Sequence, residues 1–153
     1  LSTAGLLGKF PELSRDVKVK LAISLNATDN QTRSRLMPIN RKYPIEQVID
    51  ACRQYQSKPG HRITFEYILI QGVNDTPEDA HRLVKLLRPL KAKVNLIPFN
   101  EHPDSKRKRP EPSVIDQFFK ILFDHHHTVI VRHSKGQDIA AACGQLRAQK
   151  VPG

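Results

Sequence analysis

Arg62-Ile63-Thr64-Phe65-Glu66-Tyr67-Ile68-Leu69-Ile70, followed at once by Gln71-Gly72-Val73-Asn74-Asp75-Thr76-Pro77, is the stretch on which the fold turns. The first nine residues, rich in β-branched and aromatic side chains, predict a strand. Gly72–Asp75 predicts a turn. Thr76 then stands where a helix N-cap belongs, with Pro77 next and Asp79 three residues on. Ala80, Leu83, Val84 and Leu87 continue at helical spacing as one apolar stripe. Strand, short turn and amphipathic helix make one β–α unit.

The same unit recurs on both sides. Upstream, Val19–Leu25 is a nearly continuous apolar run, and downstream Lys93–Phe99 is another, closed by Pro98 and Asn100. Pro44 stands at the first turn of a helix carried by Ile45, Val48, Ile49 and Cys52. Pro112 and a capping Ser113 introduce a further helix through Val114, Ile115, Phe118, Phe119 and Leu122, and Thr128–Arg132 makes a last strand. Largely apolar strands of this kind belong in a parallel sheet covered on both faces. The class is α/β, built from βαβ crossovers. Three such units are too few to close a barrel, which leaves an open half-barrel or an arc of a doubly wound sheet. In either, ligands bind beyond the carboxyl ends of the strands. Ser24–Asn26, Gly72–Asp75 and Asn100 occupy those ends.

The 153 residues suffice for one domain with one core. Lys and Arg number 25 against 15 Asp and Glu, a formal charge of +10 with a pI near 9.9. Such an excess favours a polyanionic partner, since cations near phosphates release condensed counterions. Composition alone leaves a merely basic protein open. There is no Trp, so stacking platforms for single strands are not evident. The uncharged apolar runs, such as Tyr67–Ile70 and Val129–Val131, are far too short for a bilayer, and no membrane partner is expected. The first ten residues show neither a secretory signal nor an initiator Met, so the chain is expected to be part of something longer. Two cysteines in no secreted pattern favour a cytoplasmic location.

Asn26 and Asn100 follow apolar strands and offer amide donors and acceptors suited to a carboxylate or a ribose hydroxyl. Taken singly, each is more often a turn former than a ligand. Cys52 falls on an apolar helical position and reads as core. Cys143 lies among the small residues of Ala140-Ala141-Ala142-Cys143-Gly144, where another group can approach the sulfur, although composition alone favours a structural cysteine. His125, His126 and His127 are adjacent and diverge in any regular backbone; with no Cys or carboxylate at zinc-type spacing, no metal site is expected. Lys106-Arg107-Lys108-Arg109 lies in a Pro-bounded loop that should rise beside Asn100, either solvated or in contact with phosphate.

An ordered series of short motifs covers essentially the whole chain: Ser2-Thr3-Ala4-Gly5, Leu21-Ala22-Ile23-Ser24-Leu25-Asn26-Ala27, Met37-Pro38-Ile39-Asn40, Glu66-Tyr67, Gly72-Val73-Asn74-Asp75, Asn95-Leu96-Ile97-Pro98-Phe99-Asn100 and Ala141-Ala142-Cys143-Gly144-Gln145-Leu146. This series resembles the radical S-adenosylmethionine (SAM) adenine carbon-2 methyltransferases of ribosomal and transfer RNA. The carbon-8 methyltransferase of antibiotic resistance is their near relative.

The resemblance implies that residues 1–153 are a single C-terminal fragment, the later half of a partial TIM-type (β/α)6 radical SAM barrel with a short C-terminal strand and cysteine loop. Ser2 would end the third strand, and the three central runs would be strands four to six. It implies that Ser2, Ser24, Leu25, Asn26 and Asn100 contact SAM; Asn26 stands where His is commoner. It makes Cys143 the methyl carrier: the thiolate takes a methyl group by displacement, and a second SAM is cleaved reductively by a 4Fe–4S cluster. The radical so formed draws hydrogen from the methylated cysteine, whose carbon adds to the adenine ring. Ribosomal and transfer RNA would be substrates, with an electron donor serving the cluster. The Cys-x3-Cys-x2-Cys motif that binds the cluster in the family, its Gly-Glu SAM motif, its upstream cysteine and its general base are not in this sequence. The chain alone is therefore expected to be inactive. A stand-alone basic RNA-binding module is the alternative from another class. An unrelated phosphate-ligand barrel is disfavoured by the lack of a Gly-rich phosphate loop.

Overall fold

The structure, a computed structural model, describes residues 2–3, 20–56 and 62–132, the first two by backbone alone. Five parallel strands lie side by side in chain order: β1 (Ser2–Thr3), β2 (Leu21–Ser24), β3 (Ile63–Leu69), β4 (Ala92–Pro98) and β5 (Thr128–Val131). Among the described strands the order never reverses, so no switch point of a doubly wound sheet lies among them. What remains is an arc of a TIM-type barrel. Both ends of each predicted central strand fall within two residues of the observed ones; Val19 itself lies outside the described residues.

Along β3 the side chains alternate between buried and half-buried without a break. Leu21, Ile23, Phe65, Tyr67, Leu69, Val94 and Leu96 form the buried face. They share one core with Val48 and Cys52 of α2 (Ile45–Tyr55), Leu83 and Leu87 of α3 (Pro77–Leu87), and Phe118 and Leu122 of α4 (Pro112–Asp124). The opposite face carries Ala22, Ser24, Thr64, Glu66, Asn95 and Ile97, all half-buried. A barrel arc turns its second face inward, where polar side chains are tolerated because that space can hold a ligand.

Helix α3 starts as expected, with a full capping box: Thr76 Oγ1 accepts from Asp79 N at 3.0 Å, and the Asp79 carboxylate accepts from Thr76 N at 3.3 Å. Helix α4 differs by two residues. Its N-cap is Glu111, and Ser113 lies inside the first turn. Pro112, with its fixed φ and no N–H, fits the first helical position and so pushes the cap one residue upstream of itself. A short helix that the spacing did not predict, α1 (Asn30–Leu36), precedes a 3-10 turn at Pro38–Arg41. Asp29 caps α1 by accepting from Thr32 N at 2.7 Å. No apolar stripe betrays α1, because its buried residue is an arginine, Arg33.

The histidine run ends α4. His126 holds a left-handed φ of 67°. Its N–H donates to Phe123 O at 2.9 Å while His127 N–H reaches back to Leu122 O at 3.2 Å. These two bonds define a Schellman terminator, with His126 where glycine is usual.

Candidate functional site at the carboxyl ends of the strands

Beyond β2 the chain turns at Asn26, a buried residue with a left-handed φ of 60°. Asparagine tolerates that conformation better than other side chains. The turn is held from the next β–α unit. Asn74, fully buried, donates through Nδ2 to Asn26 O at 2.8 Å and Ile68 O at 2.7 Å, and accepts from Ile70 N at 2.8 Å. Its own carbonyl accepts from the Tyr67 hydroxyl at 2.8 Å. Burial, followed by the Asp79 charge, holds the Tyr67 phenol well above its ordinary pKa, so it remains a donor. The Asn26 side chain completes the brace: Oδ1 accepts from Ile68 N at 2.9 Å. Its Nδ2 meets, among the described residues, only the Met37 thioether at 3.5 Å, a weak acceptor.

A second brace comes from α1. Arg33 is fully buried and its guanidinium fans over the end of β2: Nε donates to Leu25 O at 2.9 Å, one terminal nitrogen to Ser24 O at 3.0 Å, and the other to Asn40 Oδ1 at 3.0 Å. Asn40, also buried, passes the chain of bonds to Ser34 Oγ at 2.9 Å and to Asn30. Asn30 in turn accepts from Ile45 N at 3.0 Å at the start of α2. Desolvation by burial pushes the Arg33 pKa down, though a guanidinium starts so high that it stays charged. The charge is thus spread over carbonyl dipoles, and Met37-Pro38-Ile39-Asn40 brings up one of its acceptors. A third link joins the β2 exit to α3: Thr28 Oγ1 donates to Asp79 Oδ1 at 2.9 Å, and Arg82 donates to both.

These braces fix the rim of a polar row on the half-buried face. Ser24 stands in register with Glu66, Glu66 with Asn95, and Asn95 with Ile130. Neighbouring strands are about 4.8 Å apart, so hydroxyl, carboxylate and amide sit side by side across roughly 10 Å. Of these, only Ser24 was singled out from the sequence as a ligand; a period-2 pattern names two faces but not which of them is open. Ser2 pairs with Ala22, two residues below Ser24 in register. Leu25 is buried and gives its N–H to Glu66 O at 2.9 Å, so only its backbone borders the row. Asn100 lies half-buried just past β4, on the same edge. The structure therefore brings Ser24, Leu25, Asn26 and Asn100 to one edge of the sheet.

The basic loop reaches the same edge. Gln71 N donates to Lys108 O at 2.8 Å, pinning the run to the end of β3, and Arg109 N donates to the Glu101 carboxylate at 2.8 Å. Lys106, Arg107 and Lys108 are exposed. Cys143 lies outside the described residues, as does the whole cysteine loop. Cys52 is fully buried, and burial pushes its thiol up to about 12, as fits a core residue. Among the described residues no group of three or more His, Cys, Asp or Glu is placed to hold a metal ion, and no helix is long and apolar enough to cross a membrane.

No family model matches the chain. Individual relatives do. The dual-specificity RNA methyltransferase RlmN of Desulfosudis oleivorans is 58% identical over 148 residues, which is 97% of this chain and 40% of that protein. The protein of the same name from Syntrophotalea carbinolica is 56% identical over 149 residues, again 97% of this chain and 40% of the relative. A solved radical SAM methyltransferase from Sphaerobacter thermophilus superposes with a TM-score of 0.87 at 48% identity, covering 94% of this chain and 42% of that one. A domain of a pyruvate-formate lyase-activating enzyme from Bacteroides vulgatus shares the fold alone, with a TM-score of 0.69 at 20% identity. The chain thus spans about two fifths of the curated relatives it matches. The resemblance carried by its motifs holds along nearly its whole length.

Proposed function

We propose, from a chain that matches the dual-specificity RNA methyltransferases over nearly its whole length, that it is the C-terminal portion of a radical SAM enzyme methylating carbon 2 of adenosine in ribosomal and transfer RNA. The near-complete match at 58% identity is the observation that carries this reading.

The strand-end site suits the cofactor. Asn26 Nδ2 is an amide donor whose partner, among the described residues, is only a thioether, and such a donor gains from a ligand acceptor. Ser2, Ser24, Asn26 and Asn100, with the backbone at Leu25, are the proposed SAM contacts, and Glu66 gives the row a carboxylate suited to a cationic ligand. A 4Fe–4S cluster, for which this chain has no Cys-x3-Cys-x2-Cys motif, would be held outside it and would supply reducing power to the SAM bound here. Within this chain, Arg33 and Asn74 hold the rim of the site, Lys106–Arg109 positions RNA phosphates, and Cys143 carries the methyl group.

The test is methylation of ribosomal and transfer RNA by the full-length protein, the product adenosine being analysed for the carbon modified. Cys143→Ala is expected to abolish methylation and Cys52→Ala to leave it. Equal loss in both folded variants would remove Cys143 from the carrier role, and a carbon-8 product would reassign the position. The chain by itself, treated with iron and sulfide, is expected to show neither cluster absorbance nor SAM cleavage; cleavage by this chain alone would overturn the fragment reading.

A further inference from the structure

The end of the sheet opposite the candidate site holds an open cavity of about 1200 Å³, floored by the first residues of β3, β4 and β5: Ile63, Ala92 and Thr128. Lys20, Arg53, Arg62, Arg88, Lys91 and Lys93 line it, and the His125–His127 terminator of α4 closes one side. No Asp or Glu is among its described lining residues. Asp50, exposed on α2, pairs with the exposed Arg53 at 3.7 Å. The charge is held in place by the fold: the Gln56 side chain clasps the backbone of Lys91, accepting from its N–H at 3.0 Å and donating to its carbonyl. Burial, and then the charges of His125 and Arg88, hold the His127 pKa below its ordinary value, as expected where positive groups crowd together.

We infer that this cavity is a second RNA contact, a sequence-independent seat for the phosphodiester backbone at the amino ends of the strands. An excess of cations over acids is self-repelling, and polyanion binding relieves that repulsion while releasing counterions. The cavity crosses three strand starts and the residue before β2, roughly 15 Å at the usual strand spacing. That is wider than one phosphate and suits several in a row. Lys and Arg with no aromatic ring among the described lining residues other than the histidines favour backbone contact over base reading. The inference rests on the proposed function in taking RNA as the polyanion. It adds that an RNA must reach around the sheet, because a seven-residue strand separates the two ends by about 20 Å.

The experiment compares the full-length protein with its Arg88→Gln/Lys91→Gln/Lys93→Gln variant, all three side chains being exposed. Affinity is measured for a long structured RNA and for a short hairpin carrying the target adenosine, at several salt concentrations. For the long RNA, losing three phosphate contacts is expected to reduce the log–log salt slope by about 2 to 3, so that the affinity lost between 50 and 200 mM salt is about 30-fold smaller. The hairpin, too short to span both ends, is expected to bind alike to both proteins. Lys91→Glu/Lys93→Glu, with melting temperature unchanged, is expected to weaken the long RNA further. Equal slopes for the long RNA overturn the inference. So does loss of binding to phosphatidylglycerol vesicles with RNA binding intact, which would assign the cavity to a lipid surface. Methylation of the hairpin tests the proposed function separately: a protein that methylates it yet shows equal slopes refutes the cavity and leaves the methyltransferase reading standing.

Discussion

Asn74 holds the backbone of Asn26, forty-eight positions away, through a 2.8 Å hydrogen bond from its amide to the Asn26 carbonyl. The same nitrogen reaches Ile68 O, and the amide oxygen takes Ile70 N, so one side chain joins the exits of β2 and β3. The left-handed turn at Asn26, and with it the rim of the site, depends on a residue of the neighbouring unit.

Asn74→Ala leaves the Ile70 N–H and two carbonyls buried without this partner. At about 1 to 3 kcal/mol for each unsatisfied group, a loss of at least about 3 kcal/mol is expected. Asn74→Asp keeps the acceptor but loses both donors, and should also destabilise. Urea denaturation midpoints measure both. A cost below about 1 kcal/mol for the alanine variant would mean that water replaces the strut.

Arg33→Lys keeps the charge and loses the fork. An ammonium has no planar arrangement of donors with which to serve Ser24 O, Leu25 O and Asn40 Oδ1 together. With hydrogen bonds to charged groups contributing about 1.5 to 3 kcal/mol each, a destabilisation of about 3 kcal/mol is expected. In the full-length protein SAM affinity should fall as well, because Ser24 and Leu25 lose their anchor. Unchanged affinity in a folded variant would show that the rim holds without Arg33.

Cys52 sets an alkaline limit. Its folded pKa is raised to about 12 from an ordinary value of 9.0, so below pH 9 the thiol is neutral in both states. As pH rises through the window between those values, the unfolded chain ionises and the folded one does not, and stability is lost. Cys52→Ala, though less stable at neutral pH, should therefore show a flatter decline above about pH 9. The folded protein's Cys52 should also resist thiol reagents at pH 8. Parallel alkaline declines in the two proteins would refute the assignment.

His126→Gly should stabilise the protein. A non-glycine residue in the left-handed region costs about 1 to 2 kcal/mol, and glycine's greater freedom when unfolded offsets part of that, leaving a gain of about 1 kcal/mol at most. The melting temperature reads this directly. A fall instead would show that the His126 side chain makes a contact worth more than the relief of strain.

The strands, their parallel sense and the helices α2, α3 and α4 were legible in the sequence because each is encoded locally. Periods of 2 and 3.6, Thr76-Pro77 at a helix start and the prolines beside α2 and α4 are signals within a dozen residues. Ordered motifs carried the family likeness for the same reason. Helix α1 was not legible, since Arg33 sits where a stripe would need an apolar residue, and only distant carbonyls make that burial tolerable. Nor could local pattern tell that Asn74 is a strut, that Ser24, Glu66 and Asn95 stand in one row, or that six cations from separate segments meet at the far end. Those facts depend on strand register and on which element packs beside which. A hydrophobic period specifies which side of an element faces inward; only the assembled sheet decides what it meets there.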